Sequence, residues 1–117
     1  MDDADGYALD FCRDGQLYRF VWSLGGRYIT NDPDNGLSLN MNNEFMEKVF
    51  EATRSLTATP GSHITPGHVN IYSSGNILLL MSSLSNINSL RDLDFPTGII
   101  PNFKLDESQE HYLTNGG

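Results

Sequence analysis

Residues 7–30 carry the strongest structural signal in the chain, and they read YALDFCRDGQLYRFVWSLGGRYIT. Two dipeptides, Asp14-Gly15 and Gly25-Gly26, tolerate the positive φ angles that two-residue hairpin loops require. With a loop at each dipeptide, the stretch folds into a three-strand antiparallel meander. Because side chains alternate along a strand, this register places seven apolar side chains on one face. They are Tyr7, Leu9, Phe11, Tyr18, Phe20, Trp22 and Ile29.

A helix is predicted over residues 44–56, where apolar residues recur at helical spacing opposite a charged face. Asn42 or Asn43 caps this helix, and Glu44 lies at i,i+4 from Lys48, which adds a favourable ion pair. The preceding residues 31–36, NDPDNG, predict a surface loop. The helix needs an apolar partner, and we expect it to pack on the meander.

A second hairpin is predicted from residues 68–72 and 77–82, with its turn within residues 73–76. The return strand, Ile77–Met81, is apolar on both faces, which predicts an interior strand or one covered by another element or subunit. Beyond it we expect a short helix capped by Ser85 or Asn86, an edge strand over residues 99–105, and a short acidic helix or tail over residues 106–113. The whole predicts a single α+β domain over residues 1–117, with 1–6 and 114–117 frayed. Its antiparallel sheet, the meander plus the second hairpin, carries one or two helices on one face.

The formal net charge is −8, from 15 acidic and 7 basic residues. This excess disfavours binding to nucleic acid or to an anionic membrane surface, and it permits a basic protein partner, a cation or simple solubility. The single cysteine, Cys12, excludes an intrachain disulfide, and the acidic start does not resemble a secretory signal. We therefore expect a cytoplasmic protein.

No pattern in the sequence predicts a metal, a cofactor or a catalytic centre. Residues 31–36 fail as a calcium loop, because Pro33 occupies a ligand position and Asn42 replaces the final carboxylate. His63, His68 and His111 lack the spacing of a zinc site, and no serine lies in a nucleophile-elbow motif. Enzymatic activity is disfavoured, although residues that meet only in the folded chain leave it open.

The leading hypothesis is a small inhibitor of a basic protein such as a nuclease, of the immunity-protein, antitoxin or phage-antagonist type. Its binding residues are the acids of the loop, the helix and the final segment. They are Asp32, Asp34, Glu44, Glu47, Glu51, Asp106, Glu107 and Glu110. One alternative is a small-molecule-binding or enzymatic domain with Tyr18, Trp22 or His68 at the mouth of a pocket. Another is a structural subunit or homo-oligomer joined through Ile77–Met81.

Overall fold

The computed structural model describes residues 6–11, 17–63 and 68–114, which form an α+β fold. In chain order the elements are β1 (Tyr7–Asp10), α1 (Leu17–Ser23), β2 (Ile29–Asp32), β3 (Gly36–Leu39), α2 (Glu44–Ala58), β4 (Ser62–His63), α3 (His68–Ser73), β5 (Ile77–Leu80) and a 3₁₀-helix (Leu84–Leu90). The first sheet is parallel, with strand order β4-β1-β5, and the second is the antiparallel pair β2-β3. The predicted α+β class is confirmed. The predicted antiparallel main sheet is wrong.

The chain divides into two compact units. One, which we call the sheet unit, comprises Met1–Leu17 and Leu56–Ile100; the other, the hairpin unit, comprises Tyr18–Ser55 and Pro101–Gly117. The single domain over residues 1–117 stays a prediction, and most of the expected frayed termini lie outside the described residues.

The sheet unit is organised around β1, the central strand of the parallel sheet. Leu9 is paired with Ser62 of β4 on one side and with Leu79 of β5 on the other. Leu9, Asp10, Phe11 and Ile77 are all buried. Such pairing brings together segments about 50 to 70 residues apart, which parallel strands require because they are joined by long crossovers.

The predicted meander over residues 7–30 is wrong, because its second strand is the helix α1. Gly25, at φ +89°, ends that helix instead of forming a hairpin loop. The Gly25 N–H donates to the Trp22 carbonyl and the Gly26 N–H donates to the Val21 carbonyl, both at 3.0 Å. This is the hydrogen-bond pattern of a Schellman C-cap, which needs the same positive φ as a hairpin turn. The other predicted loop, at residues 14–15, lies outside the described residues.

The predicted second hairpin is wrong for the same reason. Its first strand is the helix α3, and Gly75, at φ +83°, terminates it. The Gly75 N–H donates to the Tyr72 carbonyl and the Asn76 N–H donates to the Ile71 carbonyl. The predicted return strand is present as β5, but β1 occupies the interior position of the parallel sheet.

Helix α2 is the best-predicted element. The Asn43 side-chain oxygen accepts a hydrogen bond from the Met46 N–H at 2.8 Å, which confirms the predicted cap. Met46 and Val49 are fully buried, as the apolar stripe predicted, whereas Phe45 lies half exposed. No described helix is long and apolar enough to cross a membrane.

The segment after the 3₁₀-helix departs from the prediction. The expected short helix begins after Ser83, in 3₁₀ form, so the predicted cap at Ser85 or Asn86 is wrong. Its Leu84 side chain is exposed. Residues 96–114 hold neither the edge strand expected over 99–105 nor a helix over 106–113. Pro101 disrupts the apolar run, because proline cannot donate to a strand ladder.

The final segment of the hairpin unit is held by side chains. The Phe103 ring packs edge-on against Phe20, with ring centroids 5.9 Å apart. The Gln109 side-chain nitrogen donates to the Ser23 carbonyl at 2.8 Å. These two contacts fasten the tail to the end of α1.

Candidate protein-binding surface

Strands β2 and β3 form a hairpin whose turn is fixed by one carboxylate. Asp32 Oδ1 accepts hydrogen bonds from the backbone N–H groups of Asp34, at 2.8 Å, and Asn35, at 2.9 Å. The bond from Asn35 and then the bond from Asp34 lower the pKa of the Asp32 carboxyl. Gly36 follows at φ +73°, a conformation that favours glycine. The sequence DPDNG therefore closes this hairpin.

The base of the hairpin is tied to the start of α2. The Asn40 N–H donates to the Tyr28 carbonyl at 2.8 Å, and the Asn40 side chain donates to the Arg27 carbonyl at 3.0 Å. The Asn43 side-chain nitrogen donates in turn to Asn40 Oδ1. Asn43 thus caps α2 and supports the hairpin with different atoms of one amide.

Arg27, just before the hairpin, contacts the end of α1. Its guanidinium lies 3.6 Å from the centroid of the Trp22 ring, within the range of a cation–π contact. Its Nη1 donates to the carbonyls of Trp22 and Gly26, at 3.0 and 2.8 Å. Burial lowers the pKa of Arg27. This cation is therefore engaged with the end of α1.

The strands themselves are exposed along their whole length. Ile29 pairs with Leu39 and Asn31 pairs with Leu37, so these four side chains lie on one face. The exposed fractions of the three apolar side chains are 63% for Ile29, 76% for Leu37 and 72% for Leu39. On the opposite face the hydroxyls of Thr30 and Ser38 are 2.9 Å apart. The hairpin presents an apolar face to solvent, which we call the hairpin face (Ile29, Leu37 and Leu39).

Glu44 and Glu51 have basic neighbours on α2. Lys48 Nζ lies 3.6 Å from Glu44 Oε1, which confirms the predicted i,i+4 pair. Arg54 donates two hydrogen bonds to the Glu51 carboxylate, at 3.1 and 3.0 Å, and these bonds lower the pKa of Glu51. Glu47 lies exposed on the same helix. Two of the three predicted helix acids are therefore partly neutralised.

The three acids of the tail lie in the same unit. Hydrogen bonds from the Ser108 hydroxyl and N–H are the main causes that lower the pKa of Asp106, and the charge of Lys48 contributes too. Glu107 is exposed, and Glu110 Oε2 lies 3.9 Å from His111 Nε2. All eight predicted acids belong to the hairpin unit, where Asp32 and Asp34 lie in the same turn.

The sequence does not predict the apolar half of this surface. The predicted meander places Ile29 on a buried face, and residues 31–36 are predicted as a surface loop, with a short extended segment at Leu37 and Leu39 that is not paired with residues 29–32. A usable signal was present: ITND and GLSL flank a short turn that contains proline and glycine, a pattern typical of a hairpin. That the hairpin face would be exposed has no local signature, because exposed and buried leucines look the same in a single sequence.

Each unit also contains an open cavity. One of about 480 Å³ is lined by Asn40, Asn43, Glu44, Phe45 and Lys48 at the start of α2. The other, of about 740 Å³, lies at the amino ends of β1 and β5 in the sheet unit. Its aromatic wall includes Tyr72 and Phe95, whose rings meet edge-on with centroids 5.9 Å apart. Neither Tyr18 nor Trp22 lines these cavities, and the side chain of His68 lies outside the described structure.

Within the described residues, no group of three or more His, Cys, Asp or Glu side chains could hold a metal ion. Comparisons of the chain with protein-family models, with curated proteins and with solved structures gave no match. The geometry of the hairpin unit is therefore the basis for a functional proposal.

Proposed function

We propose that this chain acts by binding a basic protein through the β2–β3 hairpin and neutralises that partner by covering its basic site. This is the role of an inhibitor of the immunity-protein, antitoxin or phage-antagonist type. The observation that carries the proposal is the hairpin face, whose three apolar side chains are largely exposed and lie on the same hairpin as an acidic turn.

The apolar contribution is supported by burial. Exposed hydrophobic residues are common singly, but a contiguous group beside polar residues is typical of an interaction site. Burial of apolar surface that is exposed to water is favourable, so a partner that covers these side chains gains binding free energy. Covering Ile29, Leu37 and Leu39 removes that unfavourable exposure.

The sign of the partner's charge follows from the hairpin's composition. Residues 28–43 include Asp32 and Asp34 but neither lysine nor arginine. The hydrogen bonds from the backbone of Asn35 and Asp34 lower the pKa of Asp32, which favours its charged form. The acids of α2 and the tail add to the same field, which steers a cationic partner towards this unit.

The test uses the full chain as bait in an extract of its native host. The bait variant Leu37→Thr with Leu39→Thr removes apolar surface but keeps residues suited to strands. Leu78→Thr is the matched control, because Leu78 is 75% exposed and lies in the other unit. We expect the wild type and the control to retain a basic protein. The double variant should retain at least about tenfold less of it, which is the expected effect of losing buried leucines.

The retained protein is then purified, and its own activity is assayed with stoichiometric amounts of each chain. Inhibition by the wild type and the control, but not by the double variant, supports the proposal. Equal retention by all three baits, or binding without loss of the partner's activity, contradicts it.

A second candidate function, binding of a small uncharged ligand, is favoured by the cavity of the sheet unit. Its lining contains no charged side chain, and Tyr72 and Phe95 offer ring surfaces for stacking. Screening uncharged aromatic fragments by NMR tests this candidate. A fragment that shifts signals around this cavity in the wild type, and fails to do so in Tyr72→Ala, supports it.

A further inference from the structure

The hydrogen-bond register of the hairpin determines which backbone groups face away from it. The Asn40 N–H bonds the Tyr28 carbonyl, so this pair is hydrogen-bonded and the adjacent pair, Ile29 with Leu39, is not. The two kinds of pair alternate along antiparallel strands. Leu37 and Leu39 therefore direct their N–H and C=O groups outward from the free edge of β3. In the described structure β3 pairs only with β2.

The side chains beside this edge are suited to a further strand. Leu37 and Leu39 alternate with Ser38, and Met41, which follows two residues later, is 42% exposed. The opposite edge, on β2, directs outward the backbone groups of Ile29 and Asn31, so a polar side chain interrupts its apolar surface. An added strand buries more apolar surface at β3 than at β2.

The β3 edge also lacks the features that protect exposed edges from pairing. Natural sheets place lysine, proline or a bulge on such strands. The sequence of β3 is GLSL, which contains neither lysine nor proline. An open edge that lacks these features favours pairing with another chain.

Charge decides between a second copy and a different protein as the occupant. A second copy would bring its own Asp32 and Asp34, and no base from residues 28–43, to the interface. Like charges brought close together disfavour that pairing. A strand that alternates basic and apolar residues complements both the acids and the leucines.

We infer that the partner adds an extended segment of alternating basic and apolar residues to the outer edge of β3, as a third strand of the hairpin sheet. The inference rests on the proposed function and specifies its binding mode. Such strand addition obtains affinity from backbone hydrogen bonds and specificity from alternate side chains.

The test measures amide hydrogen exchange of the full chain by NMR, with a synthetic peptide of four lysine-valine repeats as the probe. We expect the amides of Leu37 and Leu39 to exchange at least about tenfold more slowly when the peptide is bound, because strand pairing protects them. The amides of Ile29 and Asn31, on the other edge, should not change. A lysine-glycine peptide of equal charge controls for electrostatic attraction alone and should give no protection.

Proline substitutions test the outward hydrogen bonds directly. Leu39→Pro removes an outward N–H without breaking a bond to β2, and Leu39→Ala removes the side chain alone. We expect the proline variant to bind the peptide about fivefold more weakly than the alanine variant, the effect of one net hydrogen bond. Ile29→Pro and Ile29→Ala should bind equally, because their outward groups lie on the other edge.

Three results would overturn strand addition: failure of the lysine-valine peptide to bind, protection at Ile29 and Asn31 instead, or binding without protection of Leu37 and Leu39. Protection that rises with protein concentration in the absence of peptide would show that a second copy is the occupant. None of these results decides the proposed function. That function is tested separately, by the effect of Leu37→Thr with Leu39→Thr on retention and inhibition of the whole protein partner.

Discussion

Gly25 and Gly26 meet two different physical requirements at the end of α1. Gly25 adopts φ +89°, which is strained for any residue with a Cβ. Gly26 has no such φ but lies in a crowded position. A Cβ there would lie 2.7 Å from Val21 Cγ1, 2.9 Å from the Val21 carbonyl oxygen and 3.1 Å from Val49 Cγ1. The first glycine is required by conformation and the second by space.

We predict that Gly26→Ala lowers the free energy of unfolding by about 1–3 kcal/mol, the usual effect of overpacking, because a backbone oxygen is among the atoms displaced. Chemical denaturation measures this change. Gly98→Ala is the control, since its Cβ would meet nothing within 4 Å. The control should change stability by less than about 0.5 kcal/mol. Equal stability of the two variants would contradict the close approach at Gly26.

The carboxylate of Asp32 makes the hairpin turn sensitive to acid. Its pKa in the folded chain is lowered by hydrogen bonds from the backbone of Asn35 and Asp34. Its stabilising contribution is therefore complete above the unfolded-state pKa of about 3.9 and is lost as the pH falls through the lower folded-state pKa. We expect the amide signals of Asp34 and Asn35 to shift together in that acidic range. Asp32→Asn should abolish this transition, and its persistence in the variant would contradict the assignment.

At the scale of secondary structure, the sequence predicts a long element with several agreeing local signals, but not a short element whose local signals are ambiguous. Helix α2 is predictable because a long apolar stripe, a cap and first-turn acids all indicate the same element. The residues before Gly25 and Gly75 are ambiguous, because a positive φ closes a hairpin and a Schellman C-cap equally well. The run LYRFVWS of α1 is compatible with both spacings. Packing selects the helix, in which Phe20 and Val21 are buried.

The candidate site was predictable in its chemistry but not in its geometry. An excess of acid is visible in composition, and the eight acids do lie in one unit. Which acids have basic neighbours depends on helix spacing and on the path of the tail. The parallel pairing of β1 with β4 and β5 has no local signal, because it joins segments far apart in the chain. The exposure of the hairpin face likewise has no local signal in the sequence.

The link between α2 and the hairpin gives a prediction for Asn43. Asn43→Asp keeps the oxygen that caps the helix but loses the N–H that donates to Asn40. We expect helix content by circular dichroism to be retained, while the hairpin amides exchange faster with solvent. Asn43→Ala loses both functions and should lower the free energy of unfolding by about 1 kcal/mol. If Asn43→Asp leaves hairpin exchange unchanged, this link does not support the hairpin.

At the scale of the whole molecule, the net charge of −8 comes from acids that differ in whether a basic residue lies beside them. Glu44 and Glu51 lie beside basic residues on α2, whereas residues 28–43, which contain the turn acids, include no lysine or arginine. Exposed ion pairs contribute little to stability, but they reduce the local field. The turn acids should therefore dominate the attraction of a basic protein.

Two variants of equal net charge test this distribution. Asp32→Asn with Asp34→Asn should slow association with the basic partner about tenfold at low salt, and the rate should then depend less on ionic strength. Glu44→Gln with Glu51→Gln removes the same charge from positions beside Lys48 and Arg54 and should have a much smaller effect. Stopped-flow association rates across a salt series measure both. Equal rates for the two variants would show that net charge alone matters.

The central claim, that the hairpin face is the contact with a protein partner, is tested most directly by leucine-methyl NMR of the full chain with and without its purified partner. We predict that the methyl signals of Leu37 and Leu39 shift or broaden on binding. Those of Leu78 and Leu84, which are equally exposed in the sheet unit, should stay unchanged. Unchanged signals at Leu37 and Leu39, with changes confined to the sheet unit, would contradict the account.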